Sequence, residues 1–166
     1  MHLLARNALC AAAALCALSS SAFADETFLT VSGNITAGAK SGSGHKVSFT
    51  QAQFDALPQT TVSTSTSWTK GVHVFRGPLL RDLQKAVGAS GTTMNAYAID
   101  DYMQGIPVSD FTKYNVILAD TMDGKPLPPD HYGPTWVIYP RDQFPELVGP
   151  LTDGKFVWQV NRVVFK

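Results

Sequence analysis

The sequence predicts an α+β domain that is built mainly from short strands, and three observations lead to this class. Segments of about four to eight residues, rich in β-branched and aromatic side chains, recur between Gly, Pro and Asp turns. One segment, 79–87, carries apolar residues at helical spacing. Strands and helices do not alternate regularly, which argues against a doubly wound parallel sheet.

Residues 1–24 have the pattern of an export signal. Arg6 precedes an apolar run at 8–18, and Ala-Phe-Ala at 22–24 forms a small-residue cleavage site. The apolar run is too short to cross a bilayer, so no membrane span is expected. We therefore predict a signal peptide at 1–24, a periplasmic or secreted location, and one domain over residues 25–166.

Both cysteines, Cys10 and Cys16, fall within the predicted signal peptide. The mature chain is then expected to form no disulfide and to offer no thiolate to a metal or a substrate. The full sequence has 13 basic and 13 acidic residues, of which only Arg6 falls in the predicted signal peptide, and the basic grouping at 40–46 is diluted by Gly and Ser. A near-neutral domain of this kind is not expected to bind nucleic acid or an anionic membrane surface.

The first elements of the domain follow from local pattern. Residues 28–35 alternate apolar and polar side chains, which predicts a strand. The Gly/Ser-rich tract 38–45 predicts a flexible connection, after which a strand resumes at 47–49. Thr50 is a suitable N-cap for a short helix at 51–57 that ends before a proline.

A row of serine and threonine side chains, interrupted only by Val62, occupies 60–67. Because threonine favours extended backbone, residues 60–68 are predicted as a strand whose side chains alternate between two faces. A short strand follows at 72–75. Pro78 suits the first position of a helix that ends at Gly88, and the apolar stripe of this helix is typical of a packing element.

The second half of the domain is predicted to contain strands at 94–99, 116–119 and 136–139 and a closing strand at 156–165. The connections are predicted as a break at 100–102, a turn or short helix at 108–114, a tight turn at 123–124 and irregular chain at 141–147.

Several common catalytic motifs are incomplete. Residues 33–41 resemble a phosphate-binding loop with one residue too many, and a Gly/Ser tract follows where its helix should begin. His45, His73 and His131 lie far apart without thiolates, so no metal site is predicted. No G-x-S-x-G nucleophile elbow is present. The aspartates at 100–101 face opposite ways on a strand, which suits a turn better than a glycosidase pair.

Six phrases, taken in order, resemble the sulfite-oxidase-like family, the oxidoreductase molybdopterin-binding domain. Their order and spacing, from about Val31 to the C-terminus, carry the resemblance. It implies an α+β domain with a mixed, largely antiparallel barrel-like sheet, a few short helices and a cofactor pocket on one side. The phrases are LPQTTVSTSTSW (57–68), FRGPLLRDL (75–83), AYAIDDYMQGIPVSD (96–110), ILADTMDGKPL (117–127), YGPTWVIYP (132–140) and VWQVNRVVF (157–165).

Full-length members of the family hold molybdenum through a pterin dithiolene and one protein cysteine, which lies shortly before the F-x-G-x-x-L-x-x-L helix entry. In this sequence the matching interval is the hydroxyl row, and an ungapped count puts the ligand position near Ser65 or Thr66. A hydroxyl has a far higher pKa than a thiol and is a poor ligand for a soft metal centre. The row is therefore either the metal-ligand strand with oxygen in place of sulfur, or a Thr/Ser-rich strand with one solvated face.

The resemblance implies a cofactor site around this row. Trp68 is either a pocket wall that stacks on a flat heterocycle or a core residue. Arg76 at the helix entry is suited to pair with a phosphate, and Arg81 fits a solvated helix surface equally well. His131 lies in a loop that the family uses on the cofactor side, and Arg141 follows a strand near the same end. The candidate cofactor-binding residues are Ser65, Thr66, Trp68, Arg76, His131 and Arg141.

The sequence is consistent with two functions. The first is an exported oxidoreductase that binds molybdopterin without a cysteine ligand and works with a redox partner in the envelope. The second is a non-catalytic module for ligand binding, sensing or interaction that retains the fold. A purely structural envelope protein accommodates the neutral charge but leaves the pocket-like phrases unexplained.

Overall fold

The computed structural model describes residues 26–42 and 44–166, so the predicted signal peptide lies outside the described part of the chain. Short strands dominate and the helices are few, which confirms the predicted α+β class. The α-helices are α1 (Gln51–Asp55), α2 (Leu80–Ala86), α3 (Val108–Lys113) and α4 (Pro150–Asp153). The strands are β1 (Leu29–Gly33), β2 (Ala39–Ser41), β3 (Gly44–Phe49), β4 (Gln59–Ser65), β5 (Val72–Pro78), β6 (Thr93–Ala98), β7 (Met103–Pro107), β8 (Ile117–Ala119), β9 (Thr121–Met122), β10 (Lys125–Pro126), β11 (Trp136–Ile138) and β12 (Val160–Phe165).

The strands form three sheets. The largest has the order β2-β3-β1-β12-β6-β7, in which β1 and β12 are parallel and the other pairs are antiparallel. A second sheet has the order β10-β9-β5-β4, and β8 pairs with β11 between the two. Bridges from Leu79 to Ile117 and from Thr135 to Val160 join the small sheet to its two neighbours. This chain of pairings gives the mixed, largely antiparallel, barrel-like arrangement that the resemblance implied.

The hydrophobic core lies between these sheets, and burial in it explains why the strands that face it are apolar. Every residue of β8 and β11 is buried, which is why both strands read as continuous apolar runs. The α2 stripe is buried through Leu80, Leu83 and Val87, as its helical spacing predicted. Thr50 caps α1 through a capping box with Gln53, so this predicted N-cap is confirmed.

Some predictions about local structure were wrong, and the strand β7 was not predicted. The tract 38–45 is not simply a flexible connection, because β2 and β3 form a hairpin in it, and Gly42 at φ 60° permits the turn. Pro78 is the last residue of β5 and not the first residue of α2. The backbone of Gly77 packs closely against Leu118, since a Cβ atom on Gly77 would lie 2.0 Å from the Leu118 carbonyl oxygen, and the strand continues through this contact. The strand β7 was not predicted because Gln104 and Gly105 break its apolar alternation.

The remaining connections match their predicted character. Asp123 and Gly124 both adopt positive φ, 51° and 75°, and form the tight turn between β9 and β10. The irregular segment after β11 contains two 3₁₀ turns, Arg141–Gln143 and Pro145–Leu147. The prediction of a closing strand over 156–165 was wrong at its start, because Gln159 has φ 53° and interrupts the extended backbone, so β12 begins only at Val160.

A buried polar cluster fixes α3 against the C-terminal part of the chain. Asp110 is 7% exposed and accepts hydrogen bonds from Tyr139 Oη and from Lys155 Nζ, both at 2.8 Å. Burial, followed by the charge of Asp110, raises the pKa of Tyr139 well above its ordinary range. The phenol therefore stays protonated and remains a hydrogen-bond donor.

None of the described helices is long and apolar enough to cross a membrane.

Candidate functional site

Most of the hydroxyl row lies in β4, which ends at Ser65, whereas the predicted strand extended to residue 68. The side chains alternate between the two faces as predicted. Thr64 and Thr66 are buried with Val62, whereas Thr61 and Ser63 are exposed. A buried threonine hydroxyl needs a hydrogen-bond partner, because an unpaired one costs about 1–3 kcal/mol. The row is thus not merely a solvated strand face, and its buried members must make specific contacts.

These contacts fasten the 3₁₀ turn Arg141–Gln143 to the end of β4. Ser65 donates both its backbone N–H and its hydroxyl to the Asp142 carboxylate, at 2.7 and 2.5 Å. In the opposite direction, the backbone N–H of Asp142 donates to the Thr64 hydroxyl at 3.2 Å. Two of these three hydrogen bonds end on a charged acceptor, which makes them stronger than neutral ones. We call this arrangement of Thr64, Ser65 and Asp142 the strand-end clamp.

The Thr66 hydroxyl closes the turn that follows the clamp. It accepts the backbone N–H groups of Trp68 and Thr69 at 3.1 and 3.0 Å, and it lies 2.9 Å from the Thr69 hydroxyl. A threonine side chain that caps backbone N–H groups in this way stabilises a tight turn. As a result, the Trp68 side chain projects from a fixed backbone and remains 45% exposed.

Arg141 is held beside the clamp by two contacts. Its Nη1 donates to the Ser67 hydroxyl at 2.6 Å and lies 3.5 Å from Asp153 Oδ1. The Arg141 side chain is only 16% exposed, so its charge is largely balanced by Asp153 within the protein.

An aromatic cluster extends from the core to Trp68. Trp158 meets the Trp68 ring edge to face, with centroids 4.7 Å apart. Tyr132 stacks on the buried ring of Trp136 at 4.3 Å, and its hydroxyl donates to the Trp68 carbonyl at 3.1 Å. Trp136 in turn packs against Phe75 in the core. Edge-to-face and offset aromatic contacts are favourable, so this cluster gives Trp68 a rigid support.

A cleft of about 600 Å³ opens beside Trp68, and we call it the aromatic cleft. Its volume lies within the range of small-molecule sites. Its carboxyl groups belong to Asp100 and Asp153, and Asp153 Oδ1 is buried and accepts no hydrogen bond from the described residues. The principal lining side chains are Trp68, Asp100, Tyr102, Asp153, Phe156 and Trp158.

The structure brings some of the predicted site residues together and separates others. Ser65, Thr66, Trp68 and Arg141 lie around the strand-end clamp and the aromatic cleft. The His131 side chain is exposed and contacts the ring of its neighbour Tyr132 edge to face.

Arg76 lies in a second cleft, of about 740 Å³, which we call the acidic cleft. Its polar lining includes the side chains of Gln51, Asp55, Asp120 and Thr121. Trp68, Ser65 and Thr66 do not line this cleft. Arg76 therefore lines a different cleft from Trp68.

Sequence reasoning missed the acidic partners and the opposite wall of the site. Asp142 and Asp153 lie in segments that read as irregular chain, and no local pattern indicates that their carboxylates meet β4 and Arg141. Trp158 reads as a residue of the closing strand. The one available signal was the position of Asp142, directly after the candidate Arg141.

The fold and the site define a sheet-dominated α+β domain with an aromatic cleft beside a clamped strand end. Residues 43–144 match the family described as the oxidoreductase molybdopterin binding domain, and the chain belongs to this family. This confirms the resemblance seen in the sequence. No curated protein sequence matches the chain.

Among solved structures, the chain is similar to the sulfane dehydrogenase SoxCD from Paracoccus pantotrophus, with a TM-score of 0.61 and 16% sequence identity. The match covers 85% of this chain but only 38% of the SoxCD chain. At this identity the similarity shows a common fold. The sulfane dehydrogenase activity belongs to the larger protein and is not assigned to this chain.

The family description implies a molybdopterin cofactor, and the residues at the site fit only part of such a group. Both hydroxyls at the expected ligand position are engaged, Ser65 with Asp142 and Thr66 with the turn. The Asp142 carboxylate adds negative charge where an anionic metal–dithiolene group would lie, and Arg141 already faces Asp153. These residues do not fit a molybdenum ligand, whereas the aromatic walls fit a planar ring.

Proposed function

We propose that this chain is an exported ligand-binding member of the molybdopterin-binding oxidoreductase family that does not attach molybdenum through its own residues. The observation that carries the proposal is the strand-end clamp. Ser65 lies at the expected ligand position, and both its backbone N–H and its hydroxyl donate hydrogen bonds to the Asp142 carboxylate. A hydroxyl that already donates a 2.5 Å hydrogen bond, beside a carboxylate, is not available to bind a soft metal.

The ligand class follows from the aromatic cleft. Trp68 and Trp158 offer flat apolar surfaces, on which a heterocycle gains dispersion and stacking energy. Asp153 supplies a carboxylate whose Oδ1 lies 3.5 Å from Arg141 Nη1 but accepts no hydrogen bond from the described residues, and this acceptor favours a ligand with N–H donors over one with acceptors. We therefore propose a planar heterocycle with an amino and ring N–H edge, of which pterin is one example.

This proposal is tested by titrating the purified protein with pterin and with lumazine, in which a carbonyl replaces the 2-amino group. Quenching of tryptophan fluorescence reports binding beside Trp68. We expect pterin to bind more tightly than lumazine, because only pterin presents the amino group to a carboxylate. Equal affinity for the two rings contradicts the assigned role of the carboxylate.

Variants locate the site. Trp68→Ala is expected to weaken pterin binding by about tenfold, which corresponds to about 1.4 kcal/mol. Asp153→Asn is expected to remove the preference of the protein for pterin over lumazine. Val72→Ala, at a residue 62% exposed on β5, serves as the control and should bind pterin like the wild type.

The alternative function is an oxidoreductase that holds molybdopterin without a protein thiolate and exchanges electrons with an envelope partner. Membership of the family supports it. The two functions differ in one measurable property, since only the oxidoreductase requires molybdenum in the purified protein.

A further inference from the structure

The acidic cleft combines opposite charges with apolar walls and shares no lining residue with the aromatic cleft. Glu26, Asp55 and Asp120 supply carboxyl groups, and Arg76 supplies a guanidinium. The apolar side chains that line it are those of Phe28, Ile99, Pro126, Leu127, Pro129 and Pro134.

Asp120 is the unusual residue of this cleft, because it is a carboxyl group only 6% exposed. Its Oδ2 accepts a hydrogen bond from Gln51 Nε2 at 3.1 Å, and the same Nε2 donates to Asp55 Oδ1 at 3.0 Å. Its Oδ1 is buried and accepts no hydrogen bond from any described residue. Burial and the neighbouring charge of Asp55 raise the pKa of Asp120. A cation beside these carboxyl groups would relieve both effects.

Arg76 provides the opposite charge in the same cleft. Its side chain forms no ion pair with any carboxylate in the described part of the chain. Its position relative to Asp120 is fixed by the backbone, since the Asp120 N–H donates to the Arg76 carbonyl at 3.0 Å. Arg76 also lies directly opposite Thr121 in the pairing of β5 with β9.

The donors and acceptors favour an ammonium group over a metal ion. Gln51 already directs N–H hydrogen atoms toward both carboxyl groups, which disfavours a dication between them. No group of three or more metal-ligating side chains lies together within residues 26–42 and 44–166. An ammonium ion needs only hydrogen-bond acceptors, and Asp120 Oδ1 is one.

We propose that the acidic cleft binds an amino acid with an apolar side chain. The ammonium group would lie against Asp55 and Asp120, the carboxylate would pair with Arg76, and the side chain would contact the apolar walls. This site is separate from the proposed heterocycle site and is independent of it.

Isothermal titration calorimetry with three probes that share the same isobutyl group tests the proposal. Leucine carries both charged groups, 3-methylbutylamine lacks the carboxylate and 4-methylpentanoate lacks the ammonium group. We expect leucine to bind with a stoichiometry of one and to bind at least about tenfold more tightly than either analogue, since each analogue leaves one charged partner without its counterpart.

Two variants and a control assign the contacts. Asp120→Asn is expected to weaken leucine binding by tenfold or more, which corresponds to about 1.4 kcal/mol. Arg76→Gln is expected to weaken leucine binding and to leave 3-methylbutylamine unaffected. Asp82→Asn, in the first turn of α2, removes the same charge outside the cleft and should bind leucine like the wild type. Thermal unfolding of each variant confirms that it is folded.

Three outcomes overturn the proposal. Leucine that produces neither heat nor a rise in melting temperature at saturating concentration excludes the site, because a ligand that binds the native state must stabilise it. Affinity of 3-methylbutylamine or 4-methylpentanoate equal to that of leucine excludes recognition of both charges. An equal effect of Asp120→Asn and Asp82→Asn excludes the assigned carboxyl pair.

Discussion

The strand-end clamp predicts a measurable loss of stability when Asp142 is replaced by alanine. The substitution removes two hydrogen bonds from Ser65, at 2.7 and 2.5 Å, that end on the carboxylate. Hydrogen bonds to charged groups contribute about 1.5–3 kcal/mol each, and partial exposure of this pair lowers the figure to about 1 kcal/mol each. We therefore expect Asp142→Ala to reduce the free energy of unfolding by about 2 kcal/mol, a fall in melting temperature of about 6–8 °C.

A double-mutant cycle isolates the side-chain contact. Ser65→Ala removes only the hydroxyl donor and is expected to cost about 1 kcal/mol, and the double variant should cost no more than Asp142→Ala alone. Asp130→Ala, at an exposed aspartate, is the matched control and should change the unfolding free energy little. Urea unfolding gives all four values. A cost below about 0.5 kcal/mol for Asp142→Ala, or simple additivity of the two substitutions, would refute the clamp.

Three further predictions concern the buried polar groups. Asp120→Asn should raise stability at neutral pH by about 1 kcal/mol, and the gain should vanish in acid. The reason is that the pKa of Asp120 is raised in the folded state from its ordinary value of 3.8, so the wild type loses stability as the pH rises through the raised pKa. Melting temperatures at several pH values check this, and a gain that persists in acid contradicts it. Lys155→Met should cost about 3 kcal/mol, because it leaves Asp110 buried without its cation, and chemical denaturation measures the loss. A neutral result would mean that Asp110 is solvated. Thr66→Val keeps the shape of the side chain but removes the turn acceptor, so we expect a loss of about 1 kcal/mol and increased mobility of Trp68, seen as lower fluorescence anisotropy.

The sequence predicted those parts of the fold that local pattern and family resemblance determine. The α2 stripe, the N-cap at Thr50 and the turn at 123–124 each depend on residues close together in the chain, and each formed as predicted. The errors arose where backbone pairing or a distant contact decides the structure. Gly77 continues as strand because it packs against Leu118, about forty residues later, and no local signal reports that contact.

The same distinction holds for the candidate site. Most of the hydroxyl row was correctly predicted as a strand with alternating faces, but the strand ends at Ser65 and residues 66–68 lie outside it. The hydrogen bonds made by the end of this strand depend on Asp142, which lies 77 residues after Ser65, so the strand-end clamp was not predictable from the local sequence pattern. Arg76 and Trp68 lie close together in sequence, yet they line different clefts, because the chain turns and reverses between β4 and β5.

Molybdenum content tests the central claim most directly. The protein is produced with its export signal in a host that synthesises the molybdenum cofactor, purified without chelators, and analysed by inductively coupled plasma mass spectrometry together with a known molybdoenzyme. If the hydroxyls of Ser65 and Thr66 are engaged in hydrogen bonds with Asp142 and with the following turn, the protein contains far less than one molybdenum per chain, while the molybdoenzyme is fully loaded. One molybdenum per chain, lost on substitution of Ser65 or Thr66, would contradict the account.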